Sequence, residues 1–197
     1  MATYTRNAIT LEGSAAIITD YLKYAINAII FQRDIYPPEQ FNSVQQYGLT
    51  ILMWKNDMFN SKLQGFLLEA RALLTRNEIE KITLTIENML TSEVLEKWEF
   101  TVHSESPIGT TSKPLKKIKA DIRIVLRQIA ATISYLPALE CSCKFDLSIT
   151  VPKGCHSLDH WITVPVVHIL NAQTVQLKSF STGLQKVDTI VEYKLTD

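Results

Sequence analysis

Residues 140–151 read ECSCKFDLSITV, and polar and apolar side chains alternate along this stretch without exception. Successive side chains of a strand point to opposite faces, so the alternation predicts one buried and one solvated face. At 3.3 Å per residue the stretch would reach about 40 Å, which is long for a strand. The apolar positions are Cys141, Cys143, Phe145, Leu147, Ile149 and Val151.

The chain before this strand has the periodicities of three helices and a hairpin. Apolar residues recur at helical spacing in each helix, and they alternate in the two hairpin strands at 82–86 and 94–102. A further short strand is predicted at 47–54. Helices that bury one stripe against an antiparallel sheet give an α+β fold. The predicted helices run from an N-cap at Ser14 to Phe31, from Asn56 or Asp57 to about Arg76, and from Pro114 to Leu136.

Residues 152–197, here called the tail, have no strong helical pattern. Their β-like pieces lie at 164–170, 175–180 and 186–195, and proline, glycine and polar residues interrupt them. The long strand therefore lies at the junction between the helical body and this tail. If the edge of the strand is not permanently covered, another strand can add to it.

The charge balance argues against nucleic acid and membranes as partners. Lysine plus arginine equals aspartate plus glutamate at 20 each, which leaves no net field to attract an anionic partner. The most apolar segment, 15–31, contains Asp20 and Lys23, so it is not expected to span a bilayer. No signal-peptide pattern is present, and three cysteines with free thiols fit a reducing compartment. We therefore expect a soluble intracellular protein.

Motifs for catalysis or cofactor binding are not evident. None of the six glycines forms a phosphate-binding motif, and no serine has the context of a nucleophile elbow. We therefore expect neither an enzyme nor a cofactor. Cys155, His156, Asp159 and His160 crowd one short stretch, and a surface loop is favoured over a metal site or a catalytic site.

The third predicted helix carries Arg123 and Arg127 four residues apart on the face opposite its apolar stripe, with Gln128 beside them. A solvated face is the simplest interpretation. Like charges at this spacing repel slightly, so a partner surface that supplies carboxylates is the alternative.

Blocks of residues over nearly the whole chain carry a resemblance to a known family. The densest are Ile122–Arg123, Arg127–Ile129, Ala131–Thr132, Leu136–Pro137, Leu139–Glu140, Ser142–Cys143 and Phe145–Leu147. Others are Ile9–Gly13, Ile26–Asn27, Gln32–Arg33, Ile35–Pro37, Tyr47–Thr50, Glu93–Glu96, Trp98, Phe100, Ser179–Phe180, Lys186–Val187, Val191 and Tyr193–Lys194. With these blocks the chain resembles the HORMA-domain family, and in particular its spindle-assembly-checkpoint branch.

The resemblance implies a single HORMA domain with a core at about 9–151 and a mobile tail, the "safety belt", at about 152–197. In the open state of such proteins the tail covers the edge of the long strand. In the closed state it lies on the other side of the sheet, and a partner peptide takes its former place. The implied peptide-pairing residues are Cys141, Cys143, Phe145, Leu147 and Ile149, and the implied tail contacts are Trp161, Val175, Leu177, Phe180, Val187, Val191 and Tyr193.

The resemblance also implies partners and a cellular place. Open and closed copies of such proteins dimerise through a surface that corresponds here to Arg123, Arg127, Gln128 and Tyr135. The implied partners are a coiled-coil kinetochore adaptor, the activator subunit of the anaphase-promoting complex, and a HORMA-like adaptor with its remodelling ATPase. The implied locations are nucleus, kinetochore and cytoplasm. A HORMA adaptor of a DNA-repair or meiotic chromosome complex is the alternative.

Overall fold

The computed structural model describes residues 9–105, 113–155, 163, 165 and 167–195. Within these residues the chain has the predicted α+β architecture, with three helices, one antiparallel sheet in the order β5-β3-β4-β8-β6, and a separate β1–β2 hairpin. The short strand β7 pairs with β8 beside this path. The elements are α1 (Leu11–Gln32), β1 (Phe41–Gln46), β2 (Leu49–Trp54), α2 (Asp57–Thr75), β3 (Lys81–Asn88), β4 (Val94–Ser104), α3 (Leu115–Ala131), β5 (Cys143–Thr150), β6 (Ala172–Gln176), β7 (Phe180–Ser181) and β8 (Gln185–Lys194).

Helix α1 is the central helix, and it packs against α2, α3 and β2. The predicted N-cap at Ser14 is wrong, because the side chain of Thr10 caps the helix by accepting the Gly13 N–H at 3.1 Å. Ser14 is instead fully buried on the helix, where it contacts the tail. A serine that precedes an apolar run has the pattern of a cap, and only the tertiary structure reveals its different role.

The strand predicted at 47–54 is the second half of a hairpin. Tyr47 and Gly48 form its two-residue turn with φ of 54° and 72°, the left-handed values that such turns require. Strand β1 escaped prediction because five of its six residues are exposed or half-buried, and its sequence FNSVQQ does not alternate clearly.

The β3–β4 hairpin matches its prediction closely, and Asn56 caps α2. Helix α3 ends at Ala131, before the predicted end at Leu136, and a short 3-10 turn at Thr132–Ser134 follows it. The apolar stripe predicted for this helix runs from Leu115 to Ile133, and the buried stripe is shorter at both ends. Ile118, Ile122 and Ile129 are buried, whereas the side chains of Leu115 and Ile133 are about half exposed.

Strand β5 covers 143–150 and not the predicted 140–151. It pairs only with β3, and the register ends at Lys81 with Thr150 and at Asn88 with Cys143. Beyond Asn88 the chain turns into β4, so Glu140 has no strand to pair with and lies in the loop that follows α3. Alternation marked the half-buried face, but the length of the partner strand sets the length of β5.

The tail contributes three strands, and their bounds differ from the prediction. The described residues of 164–170 lie outside any strand, and β6 begins at Ala172. The predicted 186–195 piece corresponds to β8. No helix among the described residues is long and apolar enough to cross a membrane.

A buried ion pair ties α1 to the sheet. The Arg33 guanidinium donates to Glu96 Oε1 and to the Pro137 carbonyl, and the indole N–H of Trp98 donates to Glu96 Oε2 at 3.1 Å. The side chains of Arg33 and Glu96 are only 3% and 2% exposed. Each charge therefore depends on the other, because an unpaired charge at this depth would be strongly unfavourable.

Glu96→Ala is expected to lower the free energy of unfolding by about 3–5 kcal/mol, because it leaves the buried Arg33 charge without its carboxylate. Urea denaturation measures the change. The matched control is Glu12→Ala, which removes a surface pair with Arg71 and is expected to cost less than about 1 kcal/mol. Equal losses in the two variants would contradict this account.

Candidate functional site

Strand β5 is an edge strand, and among the described residues no strand pairs with its outer side. Its backbone orientation follows from one hydrogen bond beyond the last pair, where the Met89 N–H donates to the Ser142 carbonyl at 2.9 Å. This bond makes Asn88–Cys143 a non-hydrogen-bonded pair. Hydrogen-bonded and non-hydrogen-bonded pairs alternate along an antiparallel ladder, so every second pair along β5 is also a non-hydrogen-bonded pair.

The backbone groups of Phe145, Leu147 and Ile149, like those of Cys143, therefore point away from β3 toward the free edge. Their side chains lie on the core side, so these residues present an edge that a second strand can pair with. Part of this edge is capped, because the Leu147 N–H donates to the carboxylate of Asp146 at 2.8 Å. Of the five residues expected to form the peptide edge, Cys141 is the exception, since it precedes the strand.

An aromatic cluster supports this edge from the core side. Phe145 makes edge contacts with Tyr36 and Phe59, at centroid distances of 6.3 and 5.6 Å. Tyr36 stacks on Trp54 at 3.7 Å, and Trp54 contacts Phe59. The sequence prediction missed this cluster, because its four members come from four different segments of the chain.

The tail lies on the far side of the sheet from this edge. Strand β8 pairs with β4 over the whole register from Glu96–Tyr193 to Ser104–Gln185, and β6 then pairs with β8. Ion pairs such as Lys97–Glu192, at 2.5 Å, flank this ladder. The tail residues expected to make contacts are buried or partly buried here, namely Val175, Leu177, Phe180, Val187, Val191 and Tyr193. Trp161 lies outside the described residues.

The connection from β5 to β6 joins opposite edges of the sheet. Four strand spacings separate the two edges, which corresponds to about 19 Å. At the β6 end of this connection, the Lys97 ammonium lies 3.4 Å from the carbonyl of Val167. The core and the tail also line a half-open groove of about 430 Å³ between Pro137–Cys141 and Tyr193–Leu195. The tail side of this groove is formed by the end of β8 and Leu195.

The outer face of α3 carries the residues expected to support dimerisation. Arg123 and Arg127 are exposed and, within the described ranges, form no ion pair. Tyr135 is 45% exposed just beyond the helix. Gln128 is different, since its side-chain oxygen accepts the backbone N–H of Lys178 at 2.7 Å. The tail therefore touches this face directly and fixes one of its side chains.

The cysteines give no support to a metal or nucleophile site among the described residues. All are free, and no group of three potential metal ligands occurs among the described residues. Desolvation, followed by the neighbouring Glu78 carboxylate, raises the pKa of Cys155, which opposes a nucleophilic role. His156, Asp159 and His160 lie outside the described residues.

Comparison with known proteins assigns the fold to a family. The HORMA domain family model matches residues 14–156. The chain belongs to the HORMA-domain family.

Individual HORMA proteins are similar over almost their full lengths. The mitotic spindle assembly checkpoint protein MAD2A of Homo sapiens is 37% identical, covering 95% of this chain and 93% of its own. MAD2A of Dictyostelium discoideum is 36% identical, covering 100% and 98%. A chain in the crystal structure of the mitotic checkpoint complex superposes with a TM-score of 0.86 at 30% identity, covering 93% of this chain and 99% of that one. HORMA domains are adaptors and these relatives are checkpoint proteins, so this chain is not an enzyme.

The alkylation rate of the Cys143 thiol tests whether the start of β5 is buried. Burial, followed by the Cys141 thiol, raises the pKa of Cys143 to about 12. Because only the thiolate is alkylated, iodoacetamide at about pH 8 should modify Cys143 at least about a hundredfold more slowly than in the urea-unfolded chain. The rate should keep rising as the pH approaches 11, since the thiolate fraction still grows there. Mass spectrometry of the labelled peptides measures both rates, and equal rates would contradict the assigned burial.

Proposed function

We propose that this chain is a spindle-assembly-checkpoint adaptor that binds a partner peptide along the free edge of β5 and retains it beneath its tail. The observation that carries the proposal is the pairing of β8 with β4, which leaves β5 with outward-pointing backbone groups. In this proposal the tail position on β4 is the closed state that the family resemblance implies. The full-length similarity to MAD2A proteins favours the checkpoint over DNA-repair or meiotic complexes.

Peptide capture by this route has a simple physical basis. An added strand satisfies the backbone groups of β5, and the side chains around Phe145 supply an apolar surface for alternate residues of the peptide. The segment between 151 and 171 leads from one edge of the sheet to the other, so a peptide on β5 would be enclosed when this segment passes over it. Release then requires the tail to open, so tight binding is expected to come from a slow off-rate.

The proposal includes a second, open position of the tail over the edge of β5. In that position the tail would exclude a peptide, because both need the same backbone groups. Exchange breaks the whole β4–β8 ladder before new pairs form, so the barrier is high even when the two states have similar free energies. A remodelling ATPase with a HORMA-like adaptor would drive the return to the open state.

The partners follow from the same proposal. Capture of a coiled-coil kinetochore adaptor would concentrate the chain at kinetochores, and capture of the activator of the anaphase-promoting complex would inhibit that complex and delay anaphase. We place these events at the kinetochore, in the nucleus and in the cytoplasm. Dimerisation of open and closed copies would use the α3 face around Arg127.

The edge is tested by Ile149→Pro, which removes an outward-pointing N–H without removing a β3–β5 hydrogen bond; the N–H of Leu147 is less suitable because Asp146 already accepts it. We expect at least about thirtyfold weaker binding of an activator-derived peptide, since one edge hydrogen bond is lost and the ring obstructs the neighbouring strand. Ile149→Ala is the matched control, because it truncates the side chain but keeps the N–H. Fluorescence anisotropy measures binding, and circular dichroism confirms folding. If both variants bind equally well, the peptide does not pair with this edge.

The α3 face is tested by Arg127→Ala, which should weaken self-association by about five- to tenfold while peptide binding stays unchanged. The reason is that Arg127 is an exposed cation that forms no ion pair with the residues that the structure describes, whereas the peptide edge lies elsewhere. Lys116→Ala, which removes an exposed charge from the first turn of the same helix, is the matched control. Sedimentation velocity measures the dimer fraction, and an unchanged fraction in Arg127→Ala would refute this role.

A further inference from the structure

The buried face of β8 contains two polar side chains among apolar ones. Gln185 and Thr189 alternate with Val187 and Val191, and all four are at most 1% exposed. A buried amide or hydroxyl destabilises the fold unless it finds hydrogen-bond partners. Gln185 and Thr189 therefore need hydrogen-bond partners wherever the tail is buried, whereas Val187 and Val191 do not.

Gln185 satisfies this requirement through residues of the core. Its side-chain oxygen accepts the hydroxyl of Ser14 at 2.7 Å. Its amide nitrogen donates to the Leu74 carbonyl at 2.9 Å and to the Asn77 side-chain oxygen at 3.1 Å. One amide of the tail thus joins the start of α1 to the end of α2.

Two further hydroxyl contacts reinforce this connection. The hydroxyls of Thr182 and Ser14 are 2.7 Å apart, and those of Thr189 and Tyr21 are 3.0 Å apart. Desolvation raises the pKa of Tyr21, so its phenol keeps its proton and remains available as a donor. All these contacts link the tail to α1 and to the end of α2.

The side chains beside the β5 edge are aromatic, in contrast to the polar partners of Gln185. Beside β5 the core presents the aromatic rings of Tyr36, Trp54, Phe59 and Phe145. A glutamine side chain packed against these rings would lose the three hydrogen bonds that it makes beside α1. The apolar tail residues, in contrast, can be buried at either edge.

We infer that Gln185 is the residue that positions the tail on the β4 side, through its bonds to Ser14, Leu74 and Asn77. This inference deepens the proposed function, because it concerns which of two tail positions is stable. Gln185 acts on peptide binding indirectly, by holding β8 away from the edge of β5.

The test uses Gln185→Met, which keeps the size of the side chain but removes its polar atoms, and Gln185→Glu, which keeps only acceptors. Hydrogen exchange followed by mass spectrometry is measured on full-length protein without peptide. Both variants should speed exchange in 185–194 by at least about tenfold at neutral pH, whereas exchange in 82–86 of β3 stays unchanged. Gln176→Met, at an exposed glutamine of β6, is the matched control and should change neither segment.

The pH dependence of hydrogen exchange in Gln185→Glu distinguishes the loss of hydrogen bonds at residue 185 from a general loss of packing around it. A protonated carboxyl can donate to the Leu74 carbonyl and still accept from Ser14, as the amide does. Burial raises the pKa of a carboxyl, so the excess exchange of this variant over the parent protein should disappear as the pH falls below about 5. Gln185→Met should show no such recovery.

Unchanged exchange in 185–194, or equal acceleration in 82–86, would overturn the inference. If either variant fails to fold, Ser14→Ala removes the hydroxyl that donates to Gln185 and contacts Thr182, and it should show the same tail-specific effect in milder form; no effect there would also overturn it. Peptide binding is a separate measurement. Faster tail exchange without any peptide binding would contradict the proposed function alone, and peptide binding with unchanged exchange would contradict the role of Gln185 alone.

Discussion

The pairing of β8 with β4 is the contact on which the rest of the structure depends. It places the last long strand of the chain on the side of the sheet away from β5, and among the described residues no strand then covers the outer edge of β5. It also forms one wall of the groove beside Tyr193 and brings the tail against α3, where Lys178 meets Gln128. A free edge strand is ordinarily an aggregation hazard that proteins protect. In this chain the edge is short and carries Lys144 and Asp146, and we propose that its remaining backbone groups are reserved for a partner.

In the proposed function, the same pairing would slow the release of a bound peptide. Strand addition alone gives an exchangeable complex, because the peptide can leave through the open side of the edge. In the proposed function the tail changes this by joining the two edges of the sheet, so that the peptide and the β4–β8 ladder would be coupled. Val187 and Val191 of β8 are buried apolar residues, whereas Gln185 finds its polar partners beside α1. We propose that these buried hydrogen bonds contribute to the difference in free energy between the two tail positions.

Much of the fold could be predicted from the sequence, because it depends on local periodicity. The helical stripes, the β3–β4 hairpin and the alternation through Phe145, Leu147 and Ile149 each occupy one continuous segment. The features that escaped prediction depend on distant partners. Ser14 has the local pattern of an N-cap, but its hydrogen bonds reach residues 168 and 171 positions away. The end of β5 at Cys143 is set by the length of β3, and the side of the sheet that the tail occupies follows from contacts that no local pattern encodes.

The central claim is that the tail on β4 and a peptide on β5 occur together. Nuclear Overhauser spectroscopy of the protein with a bound activator-derived peptide tests it most directly. The account predicts cross-strand contacts between Trp98 and Val191, and contacts from the peptide backbone to Leu147 and Ile149. In the free protein a second, slowly exchanging set of signals is expected, with tail contacts along β5. A peptide-bound protein in which the tail still contacts β5, or in which the peptide contacts β6, would contradict the account.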